Sequence, residues 1–355
     1  MNTLDDTRMT GSRAVSNWIL LGIIMLLIQV ILGGITRLTG SGLSITEWNV
    51  VTGAFPPLNE KSWMIEFEKY QQTPQFQILN ADFTLSDFKF IFFWEWFHRL
   101  WARLIGVAFV VGFVYLFSKK KLKPAMVQPL VVLFLLGALQ GAVGWIMVAS
   151  GLTGDAVYVK PTRLALHFVF ALGLIVYAFW FYLQLVVNPA ERFSNGAIRS
   201  RINTLIILLI PQLAYGALMA GHKAATAAAT WPKINSEWIP DSLFSHRPWL
   251  LNLIDNKITV HFVHRGLAYI ILILVVLFTI KAAKASGASA TFKKWFRWPL
   301  YFTGLQVLLG ILAVLSSTGI VPNRWGTFEW LAEFHQIVGM LLLGSLIAVR
   351  FLVKR

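Results

Sequence analysis

The chain has no cysteine, and only 13% of its 355 residues are charged. The first absence excludes disulfides, thiolate metal sites and thiol redox relays. The second excludes an ordinary soluble protein, in which roughly 25% of residues are charged. Acidic residues are scarce as well, 16 against 31 Lys and Arg, for a net charge of +15. What fills the chain instead is 57% hydrophobic residues, with a mean hydropathy of +0.65. Several runs exceed the ~18 apolar residues needed to cross about 30 Å of hydrocarbon. The composition therefore defines an all-α integral membrane protein.

Eight spans are expected, at roughly 16–36, 90–117, 125–149, 162–187, 201–221, 258–280, 296–318 and 329–352. Basic residues fall at one end of them: Arg8 and Arg13, Lys119 to Lys121 and Lys123, Arg192, Arg199 and Arg201, Lys281 to Arg297, and Arg350 to Arg355. That end carries 17 bases against the three acids Asp5, Asp6 and Glu191. By the positive-inside rule both termini are cytoplasmic. The basic balance is thus a topology signal and does not indicate a nucleic-acid partner; the surroundings are membrane lipid. The short polar stretch from Met1 to Ser16 reads neither as a cleaved signal nor as an Arg-rich presequence. The expected location is a bacterial inner membrane. Two outer segments are long enough to be functional, about 38–89 and 222–257.

The sequence repeats itself. His98 and His264 are 166 residues apart, His167 and His335 are 168 apart, and Gln140 and Gln306 are 166 apart. Leu139-Gln140-Gly141-Ala142-Val143-Gly144 matches Leu305-Gln306-Val307-Leu308-Leu309-Gly310, and Gln29 to Gly33 matches Gln212 to Gly216. Four helices per unit is an even number, so the units run parallel, related by a pseudo-two-fold axis along the membrane normal. We expect two four-helix bundles, residues 1–190 and 191–355. Gly33, Gly34, Gly137, Gly141, Gly144, Gly304 and Gly310 would let helices approach closely.

His98, His167, His264 and His335 fall near the outer ends of their helices, one pair per unit. A lone membrane histidine is as readily a hydrogen-bond partner for a neighbouring helix. Four at matched positions are what two bis-histidine haems require. Zinc or copper fits less well, because no second carboxylate or thiol accompanies each pair. Arg37, Arg99, Arg103, Arg163 and Arg265 cluster near the same mouths. Arg37, Arg99 and Arg265 are candidates for holding haem propionates, with interfacial snorkelling the plain alternative. His222, His246 and His261 have no repeat partner and are expected to be loop or interface residues. Glu95 stands three residues before His98, on the same helix face; its repeat equivalent is His261. A carboxylate beside one pair only points to chemistry there, unless it merely pairs with an arginine such as Arg99.

These residues, with Gly33-Gly34-Ile35-Thr36-Arg37-Leu38-Thr39-Gly40-Ser41-Gly42-Leu43-Ser44 and Ile45-Thr46-Glu47-Trp48, resemble the heme A synthase family, in its cysteine-free branch of proteobacteria and mitochondria. The resemblance covers nearly the whole chain. It implies oxidation of the C8 methyl of haem O to a formyl group, giving haem A for cytochrome c oxidase. It also implies a haem O/haem A site at His98 and His167, a haem b at His264 and His335, and Glu95 as the catalytic residue. Implied partners are haem O synthase and an electron donor or acceptor protein; a homo-oligomer is left open. A diheme b-type quinol or electron-transfer subunit without substrate turnover would use the same four ligands. A haem transporter would need ligands reaching both membrane faces, which four histidines at one depth do not provide.

Overall fold

The computed structural model describes residues 13–47, 52–322 and 324–354. Arg8, Trp48 and Arg355 lie outside the described residues. Within them, eight helices are long and apolar enough to cross a membrane. They are α1 (Arg13–Leu38), α4 (Leu85–Ser118), α5 (Pro124–Ala149), α6 (Pro161–Val186), α7 (Gly196–Gly221), α8 (Lys257–Ala283), α10 (Trp298–Ser316) and α11 (Thr327–Phe351). Three short helices complete the set: α2 (Glu60–Gln71), α3 (Pro74–Leu79) and α9 (Ala290–Trp295). All eight expected spans are present. The largest differences in their edges are at α4 and α7, each of which starts five residues earlier than its sequence boundary.

Local chemistry sets these edges. The Thr84 hydroxyl and the Asp87 carboxylate form a capping box that starts α4 and carries it beyond the apolar run. Asn195 and Asn256 cap α7 and α8 with their side-chain oxygens, and proline opens α5, α6 and α10, where its missing N–H costs nothing. At the end of α1, Ser41 N donates to Thr36 O at 2.9 Å and Gly40 N to Arg37 O at 3.2 Å. This is a Schellman cap, and Gly40, at φ +68°, supplies the left-handed residue it requires.

α1 packs against α4 and α6, and α6 also packs against α5. In the second half α7 packs against α8 and α11, and α10 against α11 and α8. The halves meet through α6 on α7 and α11, and through α1 on α11. α11 is accordingly the most buried spanning helix. At the end of the molecule that carries the chain termini, Phe193–Ser194 (β1) pairs in parallel with Val353–Lys354 (β2), and Arg192 Nε donates to Phe351 O at 3.0 Å. At the other end α2 and α3 fold onto the first turns of α4. Phe67, Tyr70, Phe88, Ile91 and Phe92 form an aromatic core there. The described part of the long outer segment from residue 52 on is therefore structured, because its aromatics have an apolar helix face to cover.

The glycines divide into two groups. A Cβ on Gly34 would sit 2.1 Å from Glu333 Oε2 and 2.6 Å from Gln336 Nε2, so α1 and α11 touch only because that atom is missing. Gly33, Gly144 and Gly310 each face a histidine. Gly137, Gly141 and Gly304, expected to mediate helix contacts, face open space instead. We predict that Gly34→Leu destabilises the protein by roughly 1–3 kcal/mol, the usual cost of overpacking, seen as a lowered unfolding temperature in detergent. Gly141→Ala should leave that temperature unchanged or raise it.

Candidate functional site

Four glutamines meet four histidines. On α1, Gln29 Nε2 lies 3.2 Å from both ring nitrogens of His98 on α4, and donates to the His98 carbonyl at 3.2 Å. On α5, Gln140 Nε2 lies 3.1 Å from His167 Nδ1 on α6 and donates to the His167 carbonyl at 3.1 Å. On α7, Gln212 Nε2 lies 3.2 Å from His264 Nδ1 on α8. On α10, Gln306 Nε2 lies 3.2 Å from His335 Nε2 on α11. Here the His335 Nδ1 contact to Gln306 O, at 3.0 Å, fixes the tautomer. A carbonyl oxygen only accepts, so Nδ1 carries the proton and Nε2 the lone pair.

Four residues after each glutamine stands a glycine. A Cβ on Gly33, Gly144, Gly216 or Gly310 would lie 3.2, 2.8, 3.3 or 2.9 Å from Cε1 of the facing histidine. An i, i+4 spacing puts amide and glycine on one helix face, so each imidazole is seated by a Gln-x-x-x-Gly strip. The strips were legible in the sequence as markers of the repeat. Their facing the histidines was not. The amide oxygens of Gln29, Gln140, Gln212 and Gln306 are all buried without a hydrogen-bond partner. In the second half the His264 and His335 ring centroids are 6.3 Å apart, with their planes at 71°.

Glu95 is buried, 3% exposed, and fully engaged. Oε1 accepts from Arg99 Nη2 at 2.6 Å; Oε2 accepts from Ser44 Oγ at 2.7 Å and from Ile45 N at 2.9 Å. Arg99 in turn donates to the carbonyls of Ile45 at 3.2 Å and Glu47 at 3.1 Å. The Ser44–Glu47 loop is thus pinned to the side of α4 at Glu95 and Arg99, about one helical turn from His98. The pairing of Glu95 with Arg99, the plain alternative to a chemical role, is present. Arg265 matches Arg99 by repeat and by behaviour, donating to Ala228 O at 3.0 Å and Lys233 O at 3.2 Å. Arg163 donates to Ile146 O at 2.9 Å. Arg37 lies within electrostatic reach of Glu333 and Glu329 of α11.

Two residues here carry weight that the sequence did not signal. Glu333 is buried against Gly34, accepts from Gln336 Nε2 at 3.3 Å through Oε1 and has no partner at Oε2. Its signal was available, since an acid two residues before His335 in a spanning helix is costly. His261 lies inside α8, fully buried with neither ring nitrogen bonded, so it is not the loop or interface residue expected. Among the described residues no group of three or more His, Cys, Asp or Glu side chains converges.

Fold and site together define a multi-pass helical membrane protein with two internal histidine pairs, a carboxylate beside one of them. Comparison with known proteins narrows the class. The model of the cytochrome oxidase assembly protein family, COX15-CtaA, matches residues 16–347, and the chain belongs to that family. A heme A synthase of Flavobacterium psychrophilum is 37% identical over 341 residues, 95% of this chain and 97% of the relative. One from Flavobacterium johnsoniae is 38% identical over 339 residues (94% and 96%), and one from Rhodospirillum centenum is 40% identical over 338 residues (94% and 87%).

Removing the Arg99 side chain should strand the Glu95 carboxylate. We predict that Arg99→Ala costs about 3–5 kcal/mol, the usual result of breaking a buried ion pair from one side, and exposes the 45–47 loop to protease. Ser44→Ala, which removes one donor of three, should cost about 1–3 kcal/mol by the same thermal assay.

Proposed function

We propose that this chain is a heme A synthase that oxidises the C8 methyl of haem O to a formyl group. In this reading His98 and His167 hold the substrate, haem O, and His264 and His335 hold a resident haem b. Residues 1–190 and 191–355 are then two four-helix bundles, one per haem. The observation that carries the reading is the 6.3 Å separation of the His264 and His335 rings. Two imidazoles bonded to one metal at about 2.0–2.1 Å each hold their ring centroids at very nearly that spacing. Two further observations support a porphyrin. Each site offers only two imidazoles, and a porphyrin brings the remaining four nitrogens itself. His335 Nδ1 lies 3.0 Å from a backbone carbonyl, the kind of outer-shell partner that orients a metal-binding imidazole. The unpartnered amide oxygens around all four histidines mark positions where the protein's own atoms do not complete the site.

Haem b, when bound, supplies one-electron redox chemistry. The chain's own residues do the rest. The glutamine strips fix each imidazole. Glu95, held by three donors on the helix that carries His98, is the carboxylate proposed to stabilise positive charge developing at the methyl or to take a proton from the incoming water. Arg99 fixes that carboxylate and ties it to the carbonyls of Ile45 and Glu47; Arg37, Arg99 and Arg265 stay the cations proposed to neutralise the propionates. At the position of Glu95 the second half carries His261, and its own buried carboxylate, Glu333, lies against Gly34 of α1. That difference, together with the heme A synthase relatives, favours turnover over a diheme electron-transfer subunit. Haem O synthase and an electron-transfer protein are the proposed partners, in a bacterial inner membrane with both termini cytoplasmic.

We predict that Glu95→Ala abolishes haem A in extracted pigment while haem b stays bound, and that His264→Ala removes haem b. Identification of the pigments by chromatography and mass reads both; undiminished haem A from Glu95→Ala would dismiss the catalytic role. Because the chain has no cysteine, single-cysteine variants report topology directly. Lys121→Cys should label only from the cytoplasmic side of intact membranes, and Asp155→Cys only from the other.

A further inference from the structure

The two joins between the halves differ at the end opposite the chain termini. At one of them the α5–α6 loop meets the end of α7 and the start of α8 around a cleft of about 460 Å³. Ligand sites commonly enclose about 300–1,000 Å³. Three lysines line the cleft: Lys160 just before α6, Lys223 just after the His222 cap of α7, and Lys257 at the first position of α8. Among the described residues Asp155 is the one acid in its wall, and none of the three lysines is in an ion pair.

The cleft is preformed. A Cβ on Gly221 would sit 2.8 Å from Pro161 Cα, so the end of α7 touches the start of α6. Lys160 N donates to Ser150 Oγ at 3.0 Å, and Gln75 Nε2 donates to Val157 O at 3.4 Å. These bonds hold the α5–α6 loop from both sides. His222 Nε2 donates to Ile254 O at 2.7 Å, which ties α7 to the turn before α8. Lys223 Nζ lies 3.7 Å from the Tyr158 ring centre, a cation–π contact across the cleft. By the offsets of the repeat, Lys160, Lys223 and Lys257 correspond to Phe328, Gly40 and Ile91, so the join of α1 with α11 carries none of these charges. Lys223 has φ +51° where Gly40 has +68°. A lysine thus stands where glycine is the unstrained choice.

We propose that this cleft binds the phosphate headgroup of an anionic phospholipid, in the leaflet at that end of the molecule. Three ammonium groups against one carboxylate leave the cleft positive, and a phosphodiester neutralises it. The lysines stand at the ends of three spanning helices, the level at which lipid headgroups lie. Val157, Val159 and Pro161 add apolar wall. Further along α6, Leu166 and Phe170 are exposed, which gives acyl chains a surface below the headgroup. A soluble anion would use the charges but not that surface. The charge excess of the chain lies at the termini end, so these lysines are not part of the topology signal. A lipid held here joins Lys160 of the first half to Lys223 and Lys257 of the second, and fastens the two together. The site is independent of the haem reading.

The test uses the purified full chain in neutral detergent, stripped of lipid. It is titrated with a synthetic phosphatidylglycerol, with phosphatidylcholine or with inorganic phosphate. Unfolding temperature and native mass spectrometry read stability and bound lipid. We expect phosphatidylglycerol to raise the unfolding temperature saturably, and the other two to leave it unchanged. Each lysine near an anionic lipid contributes about five-fold in affinity. Combining Lys160→Gln, Lys223→Gly and Lys257→Gln should therefore weaken phosphatidylglycerol binding roughly ten- to a hundred-fold. Combining Lys281→Gln, Lys284→Gln and Lys294→Gln, at the termini end, should leave the response intact. Lys223→Gly alone should weaken binding yet unfold no lower than the wild type without lipid, because glycine suits that backbone; this separates lost binding from lost folding. Three results overturn the proposal: a cleft variant that responds like the wild type, a response lost with the lysines of the termini end, or an equal response to phosphatidylcholine. An equal response to inorganic phosphate overturns it in favour of a free anion. No response to phosphatidylglycerol overturns it in favour of an acidic protein.

Discussion

An imidazole inside a bilayer cannot leave its nitrogens to water, and that constraint organises this molecule. Each of four histidines is met by a glutamine amide from the neighbouring helix and by a glycine one turn along the same strip. The glutamine provides a polar neighbour where lipid provides none. The glycine lets the ring approach the helix backbone. Because both come from one helix at i, i+4, a single helix face does both jobs, and the chain uses that face four times, on α1, α5, α7 and α10.

The repeat makes the two halves similar, and the departures from it separate their roles. Glu95 against His261 places an anchored carboxylate in one half and an unbonded imidazole in the other. Where the halves join, Gly34 admits Glu333 and Gln336 to the backbone of α1, and Arg37 stands within reach of the same acids. The boundary between the halves is therefore polar near the level of the histidines.

Much of the fold was readable from the chain. Long apolar runs gave all eight spans, since crossing hydrocarbon demands length and little else. Their ends were less accurate, because α4 is lengthened by the Thr84–Asp87 capping box and by aromatic packing of α2 and α3, neither of which hydropathy registers. The four histidines stood out by spacing. The glutamines were seen only as repeat markers, and Glu333 was passed over. The glycines were misjudged in part: Gly137, Gly141 and Gly304 look like contact residues in sequence, but in space nothing approaches them.

The sequence by itself determined eight helices long and apolar enough to cross a membrane, a repeated pattern of His, Gln and Gly along the chain, and Glu95 as the acid that departs from it. Those are properties of composition and period, which act along the chain. Only the tertiary structure decided which glutamine faces which histidine and that Glu95 is tied to Arg99, Ser44 and Ile45. Those depend on which helices become neighbours, and side chains far apart in sequence meet only once the helices have packed.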